Sequence, residues 1–253
     1  MKLSTAQIKH LRSLKLKKYR SKYGQFLVEG DKLLREILLE NTPRLLAVYA
    51  LPEWIAHLPE RAQSEKAKIL HPISPKTLER ISLLQTPNKA IALMKIPAEK
   101  PNQFSSAGWA IYLDGLQDPG NMGTIWRIAD WFGFRQIWAS PDSVDFYNPK
   151  VIQASMGAFL HIPAATATAQ DLKRLKPHKD FNFWGADMDG LPFGKWKAPD
   201  QGLLVIGSEG KGLSPAVRQQ LQNTISIPKA PQGKAESLNA AMATAILAAH
   251  IAG

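Results

Sequence analysis

Apolar positions along this chain switch repeatedly between two spacings. Leu3, Ile8, Leu11 and Leu14 fall at helical intervals among basic residues and predict one amphipathic helix over about 4–20. Short apolar runs then alternate with helical patterns. They read as strand QFLVEG, helix DKLLREILLE, strand LLAVYA, short helix EWIAHL, strand AKILHPI, helix SPKTLERISLL and strand KAIALMKI. Ser74 before Pro75 is a helix start: a capping hydroxyl, then a proline at a position that needs no N–H. The alternation resumes with strand WAIYLDGL, helix TIWRIADWF, strand RQIWAS, helix NPKVIQASMGAF, strand HIPAATA and helix AQDLKRLK. It ends with strands FNFWGADM and GLLVIGS, helix SPAVRQQLQ, strand TISIP and helix LNAAMATAILAAHI. Such alternation predicts mostly parallel sheets covered by helices, with five or six strands in the second half. The stretch PAEKPNQFSSAG, rich in Pro and Ser, is the natural linker. The expected layout is therefore a domain over 1–98, a linker over 99–106 and a domain over 107–253.

Charge sharpens this division. The net charge is +11, and residues 1–106 carry 19 Lys and Arg against nine Asp and Glu, whereas the remainder is close to balanced. The first 22 residues hold eight basic residues and no acid. A polyanion partner, most simply nucleic acid, explains the asymmetry; a solvated basic helix without a partner is the plainer alternative. Lys15, Lys17, Lys18 and Arg20 are the candidate contacts to such a polyanion. There is no cysteine, which excludes disulfides, Cys-ligated zinc and a Cys nucleophile. No apolar run reaches the length of a membrane span. The six histidines show no metal-ligand spacing, Asp187 and Asp189 beside Gly190 suit a turn better than a metal, and most tryptophans suit a core.

In parallel sheets ligands bind beyond the carboxyl ends of the strands, so three loops carry the candidate chemistry. DPGNMGTIWRIADWFGF places a Gly-bearing turn before a helix, with Arg127 six residues after Asn121. A capped helix with a surface arginine accounts for it; so does an active-site loop. SEGKGLSP is neither a P-loop nor a dinucleotide fingerprint, and it holds Glu209 in a Gly-rich turn. KAPQGKAESLNAAMATAIL offers Ser237 as a helix cap or Asn239 in the first helical turn. The alanines that follow predict a helix wedged between other segments.

In order, NMGTIWRIADWFGF, LLVIGSEGKGLS and ISIPKAPQGKAESLNAAMATAIL resemble the three motifs of the SpoU/TrmH family of RNA ribose 2′-O-methyltransferases. The N-terminal half, with its basic helix and EG turn, is similar to the RNA substrate-binding domain that many members carry. The resemblance implies an α/β fold. A small α/β/α RNA-binding domain would precede a SPOUT domain whose C-terminal segment forms a deep trefoil knot. It implies a cytoplasmic homodimer that uses S-adenosylmethionine (SAM), with RNA as partner and no metal or membrane. By motif position, Asn121, Arg127, Glu209, Ser237 and Asn239 match the active site, with Glu209 orienting Arg127. Ile206, Gly207, Ile227 and Leu238 match the cofactor pocket. The chain departs from many members by reading SLNAA for SLNVS and by a longer KAPQGKAE before Ser237. The two-domain layout favours ribosomal RNA. Transfer RNA as substrate, a non-catalytic RNA-binding protein of the same fold, and a SAM enzyme acting on a base or a protein are the alternatives.

Overall fold

The computed structural model describes residues 3–40, 42–98, 108–175 and 181–253; the expected linker over 99–106 lies outside them. The chain divides into two compact units, Met1–Ala98 together with Tyr147–Gln153, and Glu99–Phe146 together with Ala154–Gly253.

The first unit runs α1 (Thr5–Ser13), α2 (Lys17–Tyr23), β1 (Gln25–Glu29), α3 (Asp31–Leu39), β2 (Leu45–Ala50), α4 (Pro52–Ala56), α5 (Glu60–Glu65), β3 (Leu70–Pro72), α6 (Pro75–Ile81) and β4 (Ala90–Lys95). The four strands stand in the order β1-β4-β2-β3. Here the expectation of a mostly parallel sheet fails. Only β2 and β3 run parallel, while β4 lies antiparallel to both β1 and β2. β4 enters reversed between β1 and β2, with Ala90–Lys95 in antiparallel register against both neighbours. Leu3, Ile8, Leu11 and Leu14 are all buried in this unit's core, beside Leu27, Tyr49, Leu78 and Ile91.

The single basic helix expected over 4–20 is two helices. Ser4 caps α1, exchanging hydrogen bonds with Gln7. The chain breaks at Leu14–Leu16, and Gly24, at φ 61°, ends α2 and turns the chain into β1. Arg20 explains the break. It is only 3% exposed, and its Nη1 donates to the carbonyls of Leu14 (2.8 Å) and Lys15 (2.7 Å) just past the end of α1. A guanidinium so engaged is a structural clamp, which corrects its nomination as a surface RNA contact; Lys15, Lys17 and Lys18 do stand exposed. Arg20→Ala removes the donor to the buried Leu14 carbonyl and the part-buried Lys15 carbonyl and should destabilise the unit by about 1–3 kcal/mol. Lys17→Gln should shift a urea melt negligibly, and equal shifts for the two variants would refute the clamp.

The second unit runs β5 (Trp109–Asp114), α7 (Pro119–Trp131), β6 (Ile137–Ala139), α8 (Pro149–Ser155, whose first residues group with the first unit), β7 (Ala164–Thr166), α9 (Ala169–Leu175), β8 (Asn182–Pro192), β9 (Gly202–Gly207), α10 (Pro215–Arg218), β10 (Asn223–Ser226) and α11 (Ala240–Ala252). Of the five or six strands expected its sheet has six, in the order β10-β8-β9-β5-β6-β7, with every pair parallel. β5 and β9 read as near-continuous apolar runs because both sheet faces are covered there. Tyr112, Trp138, Phe181, Phe183 and Leu203 form part of that core. Asp187 and Asp189 lie within β8 rather than in a turn, and Asp187 pairs with Arg218. The alanine-rich α11 buries Ala240, Ala241, Thr244, Leu247 and Ala248 but leaves Met242 and Ile246 exposed, so it packs on one side rather than being enclosed. Among the described residues no helix is long and apolar enough to cross a membrane.

Candidate active site

The parallel register of β5 and β9 sets Asp114 beside Gly207, so the loops after these two strands start as neighbours. The stretch read as a Gly-bearing turn is already helix. α7 begins at Pro119, and Asp118 is its N-cap, accepting from the Asn121 N–H at 2.7 Å. An Asp followed by Pro is the stronger local signal, a cap and a pre-set φ, and it outweighs the glycine. Asn121 thus sits in the first turn, its backbone held before its side chain does anything.

The loop after β9 is folded tightly on itself. Ser208 and Gly212 exchange both backbone hydrogen bonds (3.1 and 2.8 Å), and Ser208 Oγ accepts from the Lys211 N–H at 3.3 Å. A Cβ on Gly207 would come within 2.3 Å of the Gly212 backbone, so only glycine fits there. Buried Asp114 anchors the loop's far end by accepting from the Ser214 N–H at 2.6 Å. The turn holds Glu209 out toward α7.

The third loop, 227–239, leaves edge strand β10 and returns across the strand ends to α11. Asn239 is the cap of that helix, its Oδ1 accepting from the N–H groups of Ala241 (3.0 Å) and Met242 (3.2 Å). Neither alternative holds as stated: Asn239 stands before the first turn as the cap, and Ser237 does not cap. It is exposed and makes no hydrogen bond among the described residues. An amide one residue before the helix can reach two free N–H groups, and Ser237 lies too far back.

The three loops meet at one carboxylate. Glu209 Oε1 accepts from Asn121 Nδ2 (2.5 Å), from Asn239 Nδ2 (3.0 Å) and from the Ala240 N–H (3.3 Å). Asn239 Nδ2 also donates to Asn121 Oδ1 at 2.9 Å. The partners lie 88, 30 and 118 residues apart in sequence. The charge sits at the starts of two 13-residue helices, where unpaired N–H groups favour an anion. Both amides are thereby fixed in orientation, with Asn121 held through its backbone N–H, its carbonyl and its amino group.

Arg127 stands outside this knot of bonds. It is exposed and makes no hydrogen bond or ion pair among the described residues. The expectation that Glu209 orients Arg127 is therefore corrected: Glu209 orients Asn121 and Asn239. Six residues along a helix place Arg127 about 9 Å further on and roughly 240° around, away from the face Asn121 presents. Arg127 shares its exposed stripe with Trp131, which is 81% exposed. Of the cofactor candidates, Ile206 is buried, Gly207 and Ile227 are half-buried, and Leu238 is exposed with no hydrogen bond among the described residues. The sequence reading missed Asp118 and Asp114. The Asp-Pro pair marks the first, but nothing local marks the second, whose partner is 100 residues away.

Residues 108–249 match the SpoU rRNA Methylase family, and residues 5–92 match the MRM3-like substrate binding domain. The chain is similar to the Bacillus subtilis 23S rRNA (guanosine(2553)-2'-O)-methyltransferase RlmP, with 27% identity over 98% of this chain and 96% of that one. A Porphyromonas gingivalis structure assigned to the TrmH family of RNA methyltransferases superposes with a TM-score of 0.87 at 35% identity, covering 99% of this chain and 98% of that one. The SpoU methyltransferase AviRb of Streptomyces viridochromogenes, solved in complex with AdoMet, shares the fold at a TM-score of 0.84 and 24% identity, over 98% and 97% of the two chains. The family match takes in all three loops that converge on Glu209 and more than half of the sequence: this chain belongs to the SpoU rRNA methylase family.

Proposed function

We propose that this protein is a SAM-dependent methyltransferase acting on a ribose 2′-hydroxyl of RNA, with ribosomal RNA as the substrate. The observation that carries the reading is the carboxylate of Glu209 tying Asn121 to Asn239. A merely structural helix cap needs no second amide and no acid from a third loop. RlmP, aligned with this chain almost end to end, is named for the same chemistry on 23S rRNA. The charge excess in residues 1–106 suits a polyanionic substrate.

The residues at the strand ends fit the cofactor. Leu238 presents apolar surface within an exposed loop and makes no hydrogen bond among the described residues, Ile206 is the last residue but one of β9, and Ile227 follows β10. A nucleoside needs this combination of apolar cover and free backbone donors and acceptors. Bound SAM would supply an electrophilic methyl group. The chain's own residues place the nucleophile. The fixed amides of Asn121 and Asn239 present donors and acceptors to a ribose, and exposed Ser237 adds a hydroxyl. Holding both reactants in line supplies much of the rate. The Arg127 guanidinium clamps a substrate phosphate through its planar fork and so helps hold the ribose in line.

The trefoil knot belongs to the same proposal, supported by the return of 227–239 across the strand ends and by the fold shared with AviRb. So does a homodimer, with the cytoplasm as its compartment. Trp131 on α7, and Met242 and Ile246 one turn apart on α11, are exposed apolar side chains on two helices that pack together, and a second copy would cover them. Met242→Glu with Ile246→Glu should convert a dimer to a monomer in sedimentation velocity; an unchanged sedimentation coefficient would place the interface elsewhere.

Calorimetry with SAM in excess chelator should show binding, since the reading requires no metal. Incubation with methyl-labelled SAM and ribosomal RNA, followed by digestion to nucleosides, should yield 2′-O-methyl nucleosides. Label on a base, on protein, or nowhere despite bound SAM would refute the assignment.

A further inference from the structure

The first unit carries a surface that methyl transfer leaves unused. On α2 the rings of Tyr19 and Tyr23, one turn apart, lie 6.2 Å between centroids and 13° from parallel. Lys18 Nζ lies 6.0 Å from the Tyr19 ring centroid, and Lys22 Nζ lies 5.5 Å from that of Tyr23. His10 of α1 packs edge-on against Tyr23 at 4.5 Å, and its Nε2 is held 2.8 Å from Gln25 Oε1. The Arg20 clamp ties this short helix to the end of α1. The rings therefore rest on a fixed base, and fixed rings lose little freedom on binding. They are not core: Tyr23 is 40% exposed and Tyr19 half-buried, while Leu11 and Leu14 close the interior.

The surroundings select the partner. Residues 9–22 hold seven Lys and Arg and no acid. An acidic protein would use the cations but would have no use for two near-parallel rings. A polyanion that carries its own π-faces uses both. In a duplex those faces are hidden by stacking, whereas unpaired bases can be splayed onto aromatic side chains.

Resting on the reading of RNA as substrate, we propose that Tyr19 and Tyr23 form a stacking platform for unpaired bases of single-stranded RNA, with Lys18 and Lys22 holding the flanking phosphates. Stacking tolerates any base, so the platform grips unpaired segments near the target without choosing the nucleotide.

The test is fluorescence anisotropy with the full chain at several salt concentrations. The probes are a labelled single-stranded RNA of about 12 nucleotides and its blunt duplex. Tyr19→Ala and Tyr23→Ala should each weaken single-strand binding roughly five- to hundredfold, with little change for the duplex and no change in salt slope. Tyr19→Phe and Tyr23→Phe keep the rings and should keep the affinity. Lys18→Gln with Lys22→Gln should instead flatten log K against log salt by about 0.7 per contact. A double Tyr→Ala variant with unaltered melting temperature and parental single-strand affinity overturns the platform while leaving the RNA reading intact. Equal losses on single strand and duplex, unrescued by Phe, also overturn it, because the rings would then be structural. A parent chain that binds SAM but neither RNA overturns the RNA reading, and the platform with it.

Discussion

Arg127→Ala should lower the rate of methyl transfer about 10²–10³-fold and leave SAM affinity largely unchanged. The structure makes this a clean experiment. Arg127 is exposed, makes no hydrogen bond or ion pair among the described residues, and lies in the interior of a helix where alanine is well tolerated. Its side chain bonds to nothing among the described residues, so lost turnover in a variant that still sediments as the parent does reports on the reaction itself. Arg127→Lys should also be slow, because an ammonium lacks the planar fork that grips a phosphate through two bonds. Single-turnover rates at saturating SAM, paired with calorimetry on the same samples, separate chemistry from cofactor binding. Near-parental turnover in Arg127→Ala would make it an ordinary surface residue of α7.

Glu209→Gln and Asn121→Ala should each slow turnover on the order of 10²-fold, and the double variant should be little worse than either. Glu209 Oε1 gathers two side-chain amides and a helix N–H, and Asn239 bridges to Asn121 as well. Groups bonded in this way act as a unit, and removing one member already releases the others, so their effects do not add. Glu209→Gln loses the charge, and its new amino group has to face donors already present. Melting temperatures should move little, because the cluster is exposed and contributes little to overall stability. A double variant whose loss equals the product of the single losses would show that the two residues act independently.

The sequence carries what short-range physics controls. Each strand of both sheets begins in a segment legible as an apolar run, although β8 continues to Pro192 through residues that read as a turn; the order of elements follows from changes of period, except that α1 and α2 read as one helix and α5 is not foreseen. The buried face of α1 was legible from Leu3, Ile8, Leu11 and Leu14, and Ser74 caps α6 as its position before Pro75 predicts. The motifs of the three loops were legible as well, because each spans few residues. The start of α7 was misread, although Asp118 and Pro119 contained the answer.

Tertiary structure decided how these pieces meet. The reversed direction of β4 shows only in its pairing with β1 and β2, strands remote in the sequence, which no window of residues displays. Arg20 looked like one more cation in a basic run. Only folding α2 back against the end of α1 reveals it as buried and bonded to backbone carbonyls. The partner of Glu209 was misassigned for the same reason. Asn121, Glu209 and Asn239 are separated by tens of residues, and Arg127 shares a motif with Asn121 yet points elsewhere because a helix turns about 100° per residue. Residue type and local period fix which groups a segment offers. Which of them touch is set by packing between segments remote in the chain, and there a few degrees of helix rotation or the direction of one strand exchanges one partner for another.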